Sequence, residues 1–190
     1  MAYRRSDIVE RAVALLDQYG LSSLSMRRLG ADLGVQPSAL YHHFENKQTL
    51  LAAVADEILR RGRRPRTGTG WEESVTETCV ELRDAMLAYP DGAELVATVF
   101  AFGLGAAGPA REIESTLTEA GFEPGLARTA TRTVLHFVFG HTTDAQTHLQ
   151  AGSVGAIGDE PRQGDDFDLG LGLILTGLRT SAAGPVSARP

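Results

Sequence analysis

Three polar side chains in the second half of the chain have the types and the spacing of metal ligands. His141, Asp144 and His148 are separated by three and four residues, so they share one face of an α-helix, where imidazole and carboxylate groups can bind a transition metal. The same spacing also occurs where polar residues near a helix end face solvent, a pocket rim or a partner subunit. The second arrangement is the commoner one, and the sequence therefore predicts no metal ligand here.

Enzyme chemistry has little support elsewhere in the sequence. Asp144 could pair with His141 or His136 for acid–base catalysis, yet the chain has no nucleophile elbow, phosphate-binding loop or Cys–His arrangement. The single cysteine, Cys79, excludes an intramolecular disulfide and suits a reducing compartment. We therefore expect no catalytic residue and no cofactor.

A second cluster of reactive side chains lies near the N-terminus, in the segment 34–51, GVQPSALYHHFENKQTLL. It combines two aromatic residues, two adjacent histidines and one lysine. Neighbouring residues of a helix point about 100° apart, so His42 and His43 are poorly placed to share a metal ion. We expect His43 to pack structurally and His42 to be exposed, with Leu40 and Phe44 in the core.

Charge is unevenly distributed along the chain. The net charge is −6, but residues 1–66 contain 11 Lys and Arg against 7 Asp and Glu, whereas the other 124 residues contain 7 against 17. Because attraction to phosphate acts over about a Debye length, a basic head on an acidic body is compatible with binding to nucleic acid. The alternative is a solvated helix end and linker formed by Arg60, Arg61, Arg63, Arg64 and Arg66.

Helical periodicity dominates the chain, without a strand pattern, a repeat or a heptad run. In the first predicted helix, Ser6 is the expected N-cap, Tyr19 lies on the apolar face and Gly20 ends the helix. In the second, Ser25 is the expected N-cap and Gly34 ends the helix. The predicted helices span residues 6–19, 26–33, 36–44, 47–61, 71–88, 110–120, 124–150 and 166–179, and residues 94–104 form an apolar, glycine-punctuated segment.

The first 45 residues contain two short helices joined by a glycine turn, after one longer helix. This is the spacing of a helix-turn-helix, in which the second short helix reads DNA, and Pro37 suits the first turn of that helix. The same spacing occurs in domains that never bind DNA, so both interpretations remain open at this point.

One further segment predicts local disorder, and the N-terminal residues predict the cellular location of the protein. Residues 151–165 are rich in glycine with almost no apolar anchors and are expected to form a mobile loop. The first residues lack the pattern of a signal peptide, and no run of 18 apolar residues occurs. We therefore expect a cytoplasmic protein with no membrane partner.

The segment Leu24–Leu51 resembles the DNA-binding segment of the TetR family of bacterial transcriptional repressors. The matching residues there are Arg27-Arg28-Leu29, Leu33-Gly34-Val35, Leu40-Tyr41, His43-Phe44 and Asn46-Lys47 before Leu50-Leu51. The rest of the chain is similar to the tetracycline-repressor branch of that family. That similarity rests on Gly70-Trp71, Asp91-Gly92-Ala93, Gly121-Phe122, His136-Phe137 with Gly140, and residues 167–178.

The resemblance implies an all-α homodimer. It places an N-terminal three-helix helix-turn-helix DNA-binding domain with its connecting helix at residues 1–61, a larger helical ligand-binding and dimerisation domain at 62–182, and a disordered tail at 183–190. The implied function is a ligand-responsive repressor that binds a palindromic operator in double-stranded DNA and is released by a small hydrophobic or aromatic inducer. The alternatives are a helical small-molecule-binding or scaffold protein that has lost DNA binding and, less favoured, an enzyme.

The resemblance also gives roles to individual residues of the head. Gln at the start of the reading helix can pair with adenine, Ser can bond several base edges, and Pro can pack on a thymine methyl group. A Lys that begins the next helix suits a phosphate. The implied DNA-binding residues are Arg27, Gln36, Pro37, Ser38, Tyr41, His42 and Lys47.

In the body, the resemblance points to a pocket with altered chemistry. Tetracycline repressors hold a magnesium-chelated drug through a histidine and polar partners, and the positions matching three of those residues are Val96, Val99 and Phe100. Valine cannot ligate magnesium, so we expect an apolar pocket for a flat aromatic or hydrophobic compound. The candidate lining residues are Thr78, Leu82, Val96, Val99, Phe100, Ile113, Leu117, Thr131, Leu135 and Asp144, and plain core packing is the alternative for each apolar one.

The dimer interface is expected in the helices at 124–150 and 166–179, which are too apolar for one small body to bury. The candidate contact residues are Gly140, Leu169, Leu171, Leu173 and Ile174. The glycines at 140, 170 and 172 either allow close approach of helices or are tolerated by the packing. Ligand in the body is expected to move the helix ending near Arg61 as a lever and so change the separation of the two reading helices.

Overall fold

The computed structural model describes residues 3–153, 155 and 166–183, and over this part of the chain the fold is all-α, as predicted. The described residues form nine α-helices and one short 3₁₀ turn, Leu21–Ser23. The helices are α1 (Arg5–Tyr19), α2 (Met26–Leu33), α3 (Pro37–Tyr41), α4 (Lys47–Arg61), α5 (Trp71–Leu87), α6 (Gly92–Ala101), α7 (Gly108–Glu119), α8 (Pro124–Ser153) and α9 (Phe167–Ala183). None of these helices is long and apolar enough to cross a membrane.

The predicted boundaries of α2 and α4 are confirmed, whereas α3 is shorter than predicted. The amides of His43 and Phe44 both donate to the Leu40 carbonyl at 3.0 Å, which closes the last turn and stops the helix. The apolar segment 94–104 belongs largely to a helix, α6. Helix α8 continues to Ser153, so residues 151–153 are not part of the expected loop; residues 154, 156–165 and 184–190 of the predicted loop and tail lie outside the described residues.

Helix caps explain where the first helices begin and end. The prediction for Ser6 is wrong: α1 starts one residue earlier, and the Asp7 carboxylate accepts from the Arg4 amide at 2.9 Å. The prediction for Ser25 is confirmed, since its hydroxyl accepts from the Arg28 amide at 3.2 Å. Gly20 and Gly34 end their helices with φ of 72° and 68°, values that glycine adopts without strain.

The chain divides into two compact units, Met1–Arg64 with Glu81–Gly108, and Pro65–Val80 with Pro109–Pro190. In the first unit, α4 packs against both α1 and α6. Its side chains at Leu50, Val54 and Ile58 are fully buried. Helix α4, which follows the predicted reading helix, is therefore held on two sides by other helices of the same unit.

The segments before and after α6 are tied to other elements of the first unit by carboxylates. Asp91, just before α6, accepts from the Leu21 amide at 2.8 Å, and Asp56 on α4 accepts from the Ala106 amide at 2.8 Å. Among the described residues, Asp91 and Ala106 are the non-glycine residues with positive φ, 57° and 58°. Such left-handed conformations cost of order 1–3 kcal/mol and persist only where surrounding contacts fix them.

A glycine makes the Asp91 contact possible. A Cβ at Gly20 would lie 2.6 Å from the Asp91 carboxylate oxygen, closer than real contacts allow. Gly92 is similarly constrained, because a Cβ there would lie 2.3 Å from the Met86 carbonyl oxygen. The turn after α1 therefore requires a glycine at position 20, and the corner between α5 and α6 requires one at position 92.

In the second unit, α8 and α9 pack closely along one edge. A Cβ at Gly170 would lie 2.6 Å from the Phe137 ring, so this glycine allows the close approach predicted for it, within one subunit. The rings of Phe137 and Phe167 stack at 5.5 Å. Cys79 in this unit is fully buried, and burial raises the pKa of its thiol to about 12, so it remains protonated at neutral pH.

Candidate nucleic-acid interface

Helix α3 is anchored by two large apolar side chains. Leu40 and Phe44 are 1% and 2% exposed, and both are core residues as predicted. Burying side chains of this size stabilises the fold by about 1.5–3 kcal/mol each. This anchorage fixes which face of the short helix points outward.

The turn between α2 and α3 is unusually close. The Val35 amide donates to the Gly30 carbonyl at 2.9 Å, and a Cβ at Gly30 would lie 3.0 Å from the Val35 carbonyl oxygen. Pro37 occupies the first position of α3, where its missing N–H has no helical partner to lose. Gly30 thus sets the approach of the two helices, a role that its position inside α2 did not reveal.

Most of the predicted DNA-binding side chains are exposed on α3 or on the residues next to it. Tyr41 is 52% exposed, and Pro37 is half-buried. The expectation for His43 is wrong, since it is exposed together with His42; the Leu40 and Phe44 side chains fill the core position instead. The predicted residues that are exposed are Arg27, Gln36, Ser38, Tyr41, His42 and Lys47.

The start of α4 is capped reciprocally. The Asn46 side chain accepts from the Thr49 amide at 3.0 Å, and the Thr49 hydroxyl accepts from the Asn46 amide at 3.3 Å. Lys47 is the first residue of the helix and is exposed. A cation beside the first-turn amides of a well-formed helix is a suitable contact for a backbone phosphate.

Much of the positive charge at residues 60–66 is neutralised within each unit. Arg60 and Arg61 both bond to Glu57 at 2.8 Å, and these contacts, led by Arg60, lower the pKa of Glu57 to about 2. Arg64 pairs with Asp84 and Arg66 with Glu112, each at 2.7 Å. Arg60, Arg61 and Arg64 are exposed, as expected for a solvated helix end and linker, and all four arginines have a carboxylate partner that competes with phosphate.

Other cations of the head are also engaged. Arg11 pairs with Asp32, which lowers the pKa of that carboxyl through a side-chain hydrogen bond. The Arg28 guanidinium lies 3.9 Å from the centre of the Tyr19 ring. Tyr19 is 44% exposed, so its predicted inward position is wrong; the ring instead supports Arg28 at the surface.

Matches to known proteins decide the family. The family model described as bacterial regulatory proteins, tetR family, matches residues 8–54, and the model of the tetracyclin repressor-like C-terminal domain matches residues 64–164. The class A tetracycline repressor protein from transposon 1721 of Escherichia coli is 32% identical, covering 90% of this chain and 88% of that protein.

The chain belongs to the TetR family. The crystal structure of Mycobacterium smegmatis BioQ superposes with a TM-score of 0.85 at 40% identity, covering 94% of this chain and 98% of that one. The crystal structure of BioQ with its natural double-stranded DNA operator has a TM-score of 0.81 at 39% identity and covers 93% and 98%. This TetR-family chain is a ligand-responsive, DNA-binding transcriptional repressor.

The predicted ligand-lining residues of this TetR-family chain are distributed over both units. Phe100 is half-buried, and Asp144, the predicted acid of the pocket, is exposed. Each of the others is at most 3% exposed, and their role in ligand binding stays a prediction. These buried residues are Thr78, Leu82, Val96 and Val99, with Ile113, Leu117, Thr131 and Leu135.

One of these buried residues has unusual chemistry. The Thr131 hydroxyl finds no hydrogen-bond partner among the described residues, although the residue is only 3% exposed. By contrast, the threonines at 129, 133, 142 and 147 of the same helix donate to the carbonyl four residues earlier. The Thr78 hydroxyl likewise donates to the Ser74 carbonyl at 2.9 Å. Thr131 therefore keeps its polar capacity inside an apolar region.

His141, Asp144 and His148, whose spacing is also that of metal ligands, do not form a metal-binding cluster among the described residues. No group of three or more His, Cys, Asp and Glu side chains within the described ranges could hold a metal ion. The Nε2 atom of His141 instead lies 3.3 Å from the Asp166 Oδ1 atom, and its ring packs against the rings of Phe137 and Phe167.

The predicted dimer residues differ in exposure. Leu169 and Leu173 are 69% and 68% exposed, Gly140 is exposed and Ile174 is half-buried. Leu171 is 1% exposed, so the prediction that it contacts a second subunit is wrong. Helical periodicity explains the difference, because Leu171 lies on the opposite side of α9 from Leu169 and Leu173.

Substitutions at Gln36 and Lys47 should separate base readout from phosphate contact. Gln36→Ala should relax discrimination at one base pair by about 1–3 kcal/mol, since the side chain predicted to bond a base edge is removed. Lys47→Ala should weaken binding to every duplex alike and reduce the slope of log K against log salt by about 0.9 for each phosphate that is no longer neutralised. Fluorescence anisotropy measures both effects, on duplexes selected from genomic DNA for binding to the wild-type protein (genome-selected duplexes) and on their single-base variants. An equal loss of affinity for all of these duplexes with Gln36→Ala would contradict the assignment of Gln36 to base readout.

Proposed function

We propose that this repressor acts as a homodimer whose two α3 helices read an inverted repeat in operator DNA. The observation that carries the proposal is the orientation of α3, whose anchors Leu40 and Phe44 are buried while Gln36, Ser38 and Tyr41 face outward. A helix of this kind presents its first residues to base edges in the major groove. The structure of BioQ with its operator is consistent with the same use of the head.

The exposed apolar surface of α8 and α9 supports the dimer. Leu169 and Leu173 are one helical turn apart on α9, and Leu149 near the end of α8 is 65% exposed. Large apolar side chains that are exposed one turn apart on one helix, such as Leu169 and Leu173, mark an interaction surface. A second copy of the same surface would bury them in a symmetric interface and set the distance between the two reading helices.

Ligand control is proposed to act through the contact of α4 with α6. Helix α4 is the next helix after α3 and packs on α6, and the bonds to Asp91 and Asp56 hold the segments before and after α6. A shift of α6 would therefore move α4 and with it the reading helix. The ligand can favour the released state only by its difference in affinity for the two positions.

The proposed ligand is a largely apolar, flat or aromatic compound with one polar group. The positions that would hold a magnesium-chelated drug are Val96, Val99 and Phe100, which supply no oxygen ligand. Within the second unit, the Thr131 hydroxyl is buried and has no hydrogen-bond partner among the described residues, so it is free to bond a polar group of a small molecule. We propose that it bonds the polar group of the inducer.

The double substitution Leu169→Glu and Leu173→Glu should abolish the dimer and operator binding together. Two carboxylates per subunit would be desolvated and repel each other in a symmetric interface. Sedimentation velocity measures the subunit state, and anisotropy measures affinity for the selected operator. Leu104→Glu, at an exposed leucine of the first unit, serves as the control and should remain dimeric. A monomeric variant with wild-type operator affinity would contradict the dimeric mode of reading.

Thr131→Val should stabilise the free protein and impair its response to inducer. Removing an unsatisfied buried hydroxyl is expected to raise the free energy of unfolding by about 1 kcal/mol, measured by urea denaturation. In an operator-release screen, compounds active on the wild type should lose about tenfold in potency on this variant.

Thr78→Val is the matched control, because that hydroxyl already bonds to the Ser74 carbonyl. It should not stabilise the free protein. Equal potency of every inducer on wild type and Thr131→Val would exclude the proposed hydrogen bond.

A further inference from the structure

The N-terminal arm, Tyr3–Arg5, is fixed to the helix-turn-helix at two points. The Tyr3 hydroxyl donates to the Leu33 carbonyl at 2.9 Å, a bond that spans 30 residues of sequence. Two residues later, the Arg5 guanidinium lies 4.7 Å from the centre of the Phe44 ring. The first contact lies just before α3 in sequence and the second just after it.

The anchors of the arm are rigid parts of the DNA-binding head. Phe44 is 2% exposed and fills the core beneath α3, while Leu33 is the last residue of α2, next to the Gly34 turn. A guanidinium stacked on a ring keeps its N–H groups pointing outward in the plane of the group, where they can bond to other acceptors. The stacking of Arg5 therefore reduces its freedom without consuming its donors.

Charge and exposure leave the arm available to an anion. Arg4 and Arg5 are exposed, and neither forms an ion pair within the part of the chain that the structure describes. This distinguishes them from Arg11, Arg60 and Arg61, whose charges are paired with carboxylates. The arm thus supplies two of the cations of the head that remain unneutralised close to α3.

Arg5 also lies near the start of α4. It lines a groove of about 750 Å³ together with Thr49 of the first turn of α4, whereas Lys47 lines a cavity of about 400 Å³ with Gln48 and Asp91. Arg5 and Lys47 therefore line two depressions that each reach the first turn of α4, already proposed to bind a phosphate.

We propose that Arg4 and Arg5 form a second phosphate-binding element of the DNA interface, positioned by Tyr3 and Phe44 beside the reading helix. The ligand is the sugar–phosphate backbone of duplex DNA next to the major groove that α3 enters. The arm contributes affinity that does not depend on base sequence, because guanidinium groups directed at phosphates carry no base readout. This role rests on the DNA-binding function and extends it to residues outside the helix-turn-helix.

The test is a salt series of anisotropy titrations with the full chain on two duplexes, the genome-selected operator and a mixed-sequence duplex of the same length. The double variant Arg4→Gln, Arg5→Gln should bind both duplexes more weakly by a similar factor, at least tenfold at low salt. Its slope of log K against log salt should fall by roughly 0.9 for each phosphate that the arm no longer neutralises. The ratio of operator to mixed-sequence affinity at one salt concentration should stay that of the wild type.

Three further variants keep the test decisive. Arg4→Lys with Arg5→Lys retains the charge and should retain most of the slope. Arg132→Gln, an exposed arginine of α8, removes one charge far along the chain and should leave the slope unchanged. Tyr3→Phe removes only the hydroxyl that anchors the arm and should weaken binding several-fold while the slope is largely kept.

A wild-type slope and affinity in the Arg4→Gln, Arg5→Gln variant would overturn the proposal, as would weaker binding confined to the operator duplex. Failure of the wild-type protein to bind either duplex would instead contradict the DNA-binding function itself. Thermal unfolding of each variant shows whether weaker binding reflects unfolding; in a folded variant it is assigned to the arm.

Discussion

The segments before and after helix α6 are held by hydrogen bonds from backbone amides to carboxylates, Leu21 to Asp91 and Ala106 to Asp56, each at 2.8 Å. One residue of each bond, Asp91 or Ala106, has a positive φ without being glycine, a conformation that persists only where surrounding contacts fix it. Helix α4 packs between α1 and α6 and is the next helix after the reading helix. The position of α3 is therefore determined by the packing of α4 and α6 as well as by the helix-turn-helix itself.

This constraint suits a regulator better than a rigid scaffold. A contact that holds a helix at two polar points and along an apolar face has a small number of discrete arrangements, and a ligand can favour one of them. In the second unit, the Thr131 hydroxyl is buried without a hydrogen-bond partner among the described residues.

The number of cations available to phosphate is smaller than the number of basic residues in the head suggests. From sequence, five arginines at 60–66 contribute much of the charge of the basic head, but Arg60, Arg61, Arg64 and Arg66 are bonded to carboxylates. The cations near α3 that have no such partner within the described residues include Arg5, Arg27 and Lys47. Charge counting finds the basic half of the chain, whereas only geometry separates paired cations from those available to phosphate.

Local signals predict most of the head. Ser25, Gly34 and Pro37 act through their own backbone neighbours, so their effect on helix boundaries is visible in sequence. Features that depend on distant residues are not visible there: the bond from Tyr3 to Leu33, the space required at Gly20, and the exposed position of His43. The prediction for Leu171 is wrong because a run of apolar residues on α9 does not show which side packs internally.

The role of the contact between α4 and α6 is tested by measuring the operator affinity of Asp56→Ala by anisotropy. The control is Asp17→Ala, which removes the same charge from an exposed position on α1. Without the bond to the Ala106 amide, the contact between α4 and α6 is weaker by about 1 kcal/mol. We therefore expect affinity to fall about fivefold relative to the control while the protein stays folded and dimeric. An operator affinity for Asp56→Ala equal to that of Asp17→Ala would contradict the conclusion that this contact positions the reading helix.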